Sequence, residues 1–172
     1  MVKYLGIFLA SIACIALGFE LSGDVQKRIR QLRLVKSALL MFRGEVEYAS
    51  SSLEEAFSEI SSRLESPISD FFKGVSNHLS ELDHKEFIEI WTKQLTNLKK
   101  KSCLEGEDID ILNQLGKQIG YLDVDMQIRV LDNSCQQIDE RLHSLYEESK
   151  VSCKLYKSLG ILSALCIIVI CI

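Results

Sequence analysis

Asp123–Ile172, DVDMQIRVLDNSCQQIDERLHSLYEESKVSCKLYKSLGILSALCIIVICI, is the stretch on which the fold turns. In its first half Ile128, Leu131, Cys135, Ile138, Leu142 and Leu145 recur at steps of three and four. That spacing is a heptad-like seam, the mark of a helix that buries one face. No proline or glycine interrupts the pattern before Gly160. From Leu155 onward the polar face is gone: Leu159, Ile161, Leu162, Leu165, Ile167, Ile168, Val169 and Ile170 are apolar all round. A core helix keeps a polar side, so this end belongs in lipid. One helix is thus expected to leave a packed bundle and enter a membrane. It would be about 75 Å long if all of Asp123–Ile172 were helical.

The other end of the chain mirrors it. Tyr4–Leu21 is apolar with one charge, Glu20, and Leu155–Ile172 carries only Lys157. Each stretch sits at the lower end of the roughly 17–25 residues that span a hydrocarbon core as a helix, which hides its own backbone polar groups. Lys27, Arg28, Arg30, Arg33 and Lys36 follow the first stretch, and Lys150, Lys154 and Lys157 flank the second. Only Lys3 lies beyond them. That bias puts the middle of the chain in the cytoplasm and both termini across the membrane, with the stem of Lys157 reaching back to the headgroups. The organisation expected is an N-terminal transmembrane helix over 1–22, a cytoplasmic six-helix bundle over 24–154, and a C-terminal transmembrane helix over 155–172 continuous with the last bundle helix. A cleaved signal peptide is the competing reading of the first stretch. The apolar run continues past Cys14 to Phe19, which favours a retained anchor.

Between the ends, one proline and few glycines predict helices rather than a turn-rich sheet. Asp24–Tyr48 reads as the first helix, with Ile29, Leu32, Val35, Leu39, Phe42 and Val46 on one stripe. Ala49–Ser52 breaks it, and Ser52 with Glu55 has capping-box spacing for a second helix through Leu53, Phe57, Ile60 and Leu64. Pro67 opens a third carrying Phe71, Phe72 and Val75, after which Gly74–Glu81 reads as irregular. Asp83 is placed to cap a fourth with Phe87, Ile88, Trp91, Leu95 and Leu98 inside, ending in Lys99–Lys101 at the negative end of its dipole. A fifth is predicted from Gly106 to Ile119, acidic at its start and closed by Gly120. The fold class is all-α, a six-helix bundle between two transmembrane helices.

Catalytic chemistry is missing from this pattern. There is no phosphate-binding glycine loop, and His78, His84 and His143 follow no metal-ligand spacing. Cys14, Cys103, Cys135, Cys153, Cys166 and Cys171 form no C-x-x-C pair, and Cys135 falls on the apolar seam. The net charge of −4 is mixed along the chain, unlike the one-sided basic footprint of a nucleic-acid binder. No enzyme, cofactor, metal, small-molecule substrate or nucleic acid is expected. A membrane hydrolase built on folded-together carboxylates is the weakest reading, for want of a supporting base or nucleophile.

Several patterns together resemble the stage III sporulation protein AB family of endospore-forming bacteria. They are Glu45-Val46-Glu47-Tyr48 before Ser52-Leu53-Glu54-Glu55-Ala56-Phe57, then Leu115-Gly116-Lys117-Gln118-Ile119-Gly120, Met126-Gln127, and Lys154-Leu155-Tyr156-Lys157-Ser158-Leu159-Gly160. The resemblance runs over essentially the whole chain. Where the family often has proline before the leucine of the second helix, this chain has Ser52, and both suit a helix start. The family is in turn similar to the F domain of type II secretion and type IV pilus platform proteins, a six-helix bundle. The resemblance implies a part in the channel linking mother cell and forespore, in the outer forespore membrane with the bundle facing the mother-cell cytoplasm. It also implies a secretion-type ATPase and other channel subunits as partners, besides the lipid bilayer.

The functional expectation is a non-enzymatic platform. Its candidate docking residues are Glu105, Glu107, Asp108 and Asp110, the most concentrated charge away from the basic flanks. A solvated helix start is the alternative for this group, since acidic residues there already satisfy the dipole. The runner-up function is a two-span sensor or signalling adaptor, against which stands the shortness of the segments left outside.

Overall fold

Ser52 shows how local chemistry sets the first boundary. Its hydroxyl accepts the Glu55 N–H at 3.2 Å, and a Glu55 carboxylate oxygen accepts the Ser52 N–H at 3.2 Å. This reciprocal capping box starts α2, Leu53–Arg63. The computed structural model describes residues 2–49, 52–80, 87–120 and 123–171, with side chains over 23–48, 52–80, 87–120 and 123–149. Before α2 comes α1, Val2–Gly44, which widens into a π-helical turn over Glu45–Ala49. After it come α3 (Ile68–Ser80), α4 (Phe87–Lys101), α5 (Gly106–Ile119) and α6 (Val124–Cys171). The described residues hold six α-helices and no strand, and they fit a helical bundle.

The chain divides into two units: Met1–Ile29 with Ser144–Ile172, and Arg30–His143. The first unit consists of the start of α1 and the end of α6. Tyr4–Leu21 and Leu155–Ile172, expected to span a membrane, lie outside the residues whose side chains are described. Among the described residues no helix is long and apolar enough to cross a membrane. Asp83 also falls outside the described residues, so the structure says nothing of its expected cap.

In the second unit α2, α3, α4 and α5 pack in succession. Phe57 is fully buried at the centre, its ring centroid 4.8 Å from Phe42, 5.7 Å from Phe72, 5.9 Å from Trp91 and 6.3 Å from Phe87. These rings tie α1, α2, α3 and α4 together in tilted and stacked geometries that aromatic quadrupoles favour. Trp91 adds α5 by donating its indole N–H to the Leu112 carbonyl at 2.8 Å, which satisfies a polar group that is otherwise fully buried.

Two ion pairs set the register of α1 against α6 within this unit. Lys36 Nζ lies 2.6 Å from Asp139, and Arg43 Nε lies 2.7 Å from Asp132. A step of seven along α1 matches a step of seven back along α6, so the two helices run antiparallel. The side chains are a third to a half exposed, and such pairs are worth only about 0–1 kcal/mol each. Specificity of alignment is their contribution. The apolar seam beneath them holds the stability: Leu32, Val35, Leu39 and Phe42 on α1, and Leu131, Cys135, Ile138 and Leu142 on α6, are all buried.

One expectation fails in the middle of the chain. Gly74–Glu81, read as irregular, is helical as far as Ser80. Glycine, serine and asparagine are poor helix formers, but packing overrides propensity here. Val75 is fully buried, the buried Ser76 donates its hydroxyl to the Glu54 carbonyl at 3.0 Å, and Gly74 lies against Gln94. The first helix departs in a smaller way, since the α pattern expected to reach Tyr48 ends at Gly44.

Candidate functional site

The acidic group begins at the loop between α4 and α5. The Glu105 N–H donates to Asp108 Oδ2 at 2.9 Å, and the Ile109 N–H to the Glu105 carbonyl at 3.1 Å, which starts α5. Carboxylates in this first turn face the positive end of the helix dipole. The four candidates then separate. Asp108 is 2% exposed, while Glu105, Glu107 and Asp110 are exposed.

Arg141 of α6 draws two of them together. It pairs with Glu107 at 2.6 Å and with Asp108 Oδ1 at 3.4 Å. Asp108 is therefore a structural residue, held between its helix start and a guanidinium. Replacing it by Ala removes a cap worth about 1 kcal/mol and a charge-assisted bond of similar size. The expected loss is about 2 kcal/mol, seen as a fall in melting temperature of roughly 7 °C for a unit of this size. Asp110→Ala changes stability by no more than about 0.5 kcal/mol. Equal losses in the two variants, followed by circular dichroism, would refute the division.

Beside this pair lies an open groove between α5 and α6 of about 380 Å³, bordered by Glu107, Asp110, Gln114, Gln137, Glu140 and Arg141. Glu140 and Arg141 were missed from sequence, though a signal exists: both lie between the buried Ile138 and Leu142 of the α6 seam. Glu105 stays outside the groove at the start of α5. Three carboxylates and one guanidinium on two rigid helices suit recognition of a basic surface.

Of the histidines and cysteines, His78 and Cys135 are held by their packing. His78 Nδ1 lies 2.7 Å from the Gly74 carbonyl, His143 is exposed, and His84 is outside the described residues. Cys135 is buried; burial, and next the neighbouring Asp132, push its thiol pKa up and keep it protonated. Among the described residues no group of three or more His, Cys, Asp or Glu is arranged to hold a metal ion.

Gly116 gives the sequence motif around it a physical reason. A Cβ there would stand 2.2 Å from Trp91 Cδ1 and 2.3 Å from its Nε1. Only glycine lets the indole lie on the α5 backbone and reach the Leu112 carbonyl.

Comparison with known proteins agrees with this fold. A family model described as Stage III sporulation protein AB matches residues 3–172. The stage III sporulation protein AB of Bacillus subtilis (strain 168) is 25% identical over 170 residues, covering 99% of both chains. A solved structure of a stage III sporulation protein AB superposes with a TM-score of 0.67 at 21% identity. That likeness covers 72% of this chain and 97% of the other, and speaks for the fold.

Proposed function

Since the chain belongs to the stage III sporulation protein AB family, we propose that it serves endospore formation as a non-enzymatic membrane platform. The apolar ends, 1–22 and 155–172, hold it in the outer forespore membrane, and the basic residues flanking them keep the helical head in the mother-cell cytoplasm. There the head docks a secretion-type ATPase of the same assembly and adjoins other channel subunits. The observation that supports this most is a family match running from residue 3 to residue 172, apolar ends included.

Glu105, Glu107 and Asp110 are the docking carboxylates in this reading, with Glu140 beside them across the groove. They stand on helices whose positions are set by the buried core, so a partner meets a preformed charge pattern. Asp108 contributes by holding the start of α5 and Arg141 in place.

The test uses the tagged full-length chain purified with the secretion-type ATPase from cells making both. Co-elution is expected, and Glu105→Lys/Glu107→Lys/Asp110→Lys lowers the recovered ATPase about tenfold. Unchanged recovery dismisses this docking surface, and absence of the ATPase from the wild-type eluate dismisses the docking itself. A deletion strain that forms spores normally dismisses the proposed function.

A further inference from the structure

A second crevice lies where three elements of the Arg30–His143 unit end or begin. Phe42 and Val46 come from the end of α1 and its π turn, Leu53 and Ala56 from the first turn of α2, and Val124 and Gln127 from the start of α6. It encloses about 330 Å³, room for an apolar side chain of the size of Leu or Phe. Among the described residues four large apolar side chains are exposed, and three are on the turns bordering this crevice: Tyr48 at 80%, Val124 at 53% and Met126 at 42%. On the π turn Val46 stands in the crevice wall, and Tyr48, two residues on, points away from it into solvent. Such turns recur at working surfaces because they re-aim side chains.

Charge decides what covers it. The same three turns carry Glu45, Glu47, Glu54, Glu55, Asp123 and Asp125, against Arg43 and Arg129. Arg43 is engaged by Asp132 and Glu47, so Glu47 and Arg43 offset each other, and the other carboxylates still outnumber Arg129. A second copy docking isologously would press one acidic rim on another, and anionic headgroups would be repelled in the same way. A polycation with an apolar anchor fits both features.

We infer that this crevice binds a basic amphipathic helix of a second protein, its apolar side chain entering between Val46, Leu53 and Val124 while flanking Lys and Arg residues meet the acidic rim. The binding mode is a helix face laid into a groove whose walls are apolar at Phe42, Val46, Leu53, Ala56 and Val124 and polar at Glu45 and Gln127. The surface uses none of the residues of the α5–α6 groove, so it stands or falls independently of that docking surface.

The full-length chain in phosphatidylcholine nanodiscs is titrated into a fluorescent synthetic peptide of about 15 residues, long enough to fold as a helix on binding. The peptide carries Leu and Phe four apart among Lys and Arg; a control peptide has Glu in place of Lys and Arg. The basic peptide is expected to bind, more weakly as salt rises. Glu54→Lys/Asp125→Lys weakens it about tenfold, and Tyr48→Ser/Val124→Ser about fivefold. These sites are exposed, so helix content by circular dichroism stays that of the wild type. Glu107→Lys/Asp110→Lys leaves the affinity unchanged. Four results would overturn the inference: equal binding of the acidic peptide, equal binding to empty nanodiscs, wild-type affinity in the rim variants, or a wild-type dimer that Glu54→Lys/Asp125→Lys dissolves.

Discussion

Gly116→Ala lowers the stability of the helical head by about 3 kcal/mol, and the melting temperature by roughly 10 °C. The added methyl group would meet Trp91 at 2.2–2.7 Å from three ring atoms. An indole cannot bend away as a long aliphatic chain does. Phe71 and Phe87, with ring centroids 4.8 and 5.5 Å from it, close the routes by which the ring could slide. Displacement also breaks the N–H bond to the Leu112 carbonyl and leaves a buried donor unpaired, which by itself costs about 1–3 kcal/mol. Gly44→Ala is the contrast. A Cβ there meets nothing within 4 Å, and a helical Gly→Ala exchange adds about 0.5–1 kcal/mol. Trp91 is the chain's one tryptophan, so its fluorescence reports the unfolding of this contact directly. A Gly116→Ala protein with the wild-type melting temperature would refute the close approach. Combining it with Trp91→Leu should cost less than the two changes added together, as coupled neighbours do.

Phe57→Ala has the larger effect, about 4 kcal/mol, because the side chain is fully buried and touches rings from three other helices. A domain of this kind is stable by only about 5–15 kcal/mol, so much of the margin disappears. The denaturation midpoint followed by Trp91 emission falls accordingly, while Phe57→Leu, which keeps most of the volume, loses about 1.5 kcal/mol or less. Leu53 is only half-buried at the start of the same helix, and Leu53→Ala should cost clearly less than Phe57→Ala. Equal midpoints for the two would mean that the aromatic cluster is not the centre of the core.

Local patterns were the legible part of this fold. The α6 seam is buried from Leu131 to Leu145, with Ile128 at its start only half-buried, and the Ser52–Glu55 box forms as its spacing predicts. Features that need two distant segments were not. Lys36 and Arg43 are paired with Asp139 and Asp132, but only an antiparallel alignment makes the matched seven-residue steps meaningful. Gly116 reads as an ordinary helical glycine until Trp91, 21 residues from the carbonyl it bonds, is laid on it. The end of α3 looked irregular because Gly74, Ser76 and Asn77 are weak helix formers, and its support comes from Glu54 and Gln94 on other helices. The acidic group is the sharpest case. Four neighbouring carboxylates are indistinguishable in composition, yet Asp108 is buried and Arg141 holds it from 33 residues away. The π turn likewise has no repeat to announce it, whereas Tyr48, two residues beyond Val46, lies off the stripe in either helical geometry.

Protease protection of the tagged full-length protein tests the platform account most directly. In intact protoplasts the Arg30–His143 unit should survive externally added protease, and in inside-out membrane vesicles it should be cut to membrane-held fragments. Digestion in intact protoplasts, or release of the whole chain from membranes by alkaline carbonate, would contradict a head held at both ends on the side where ATP is found.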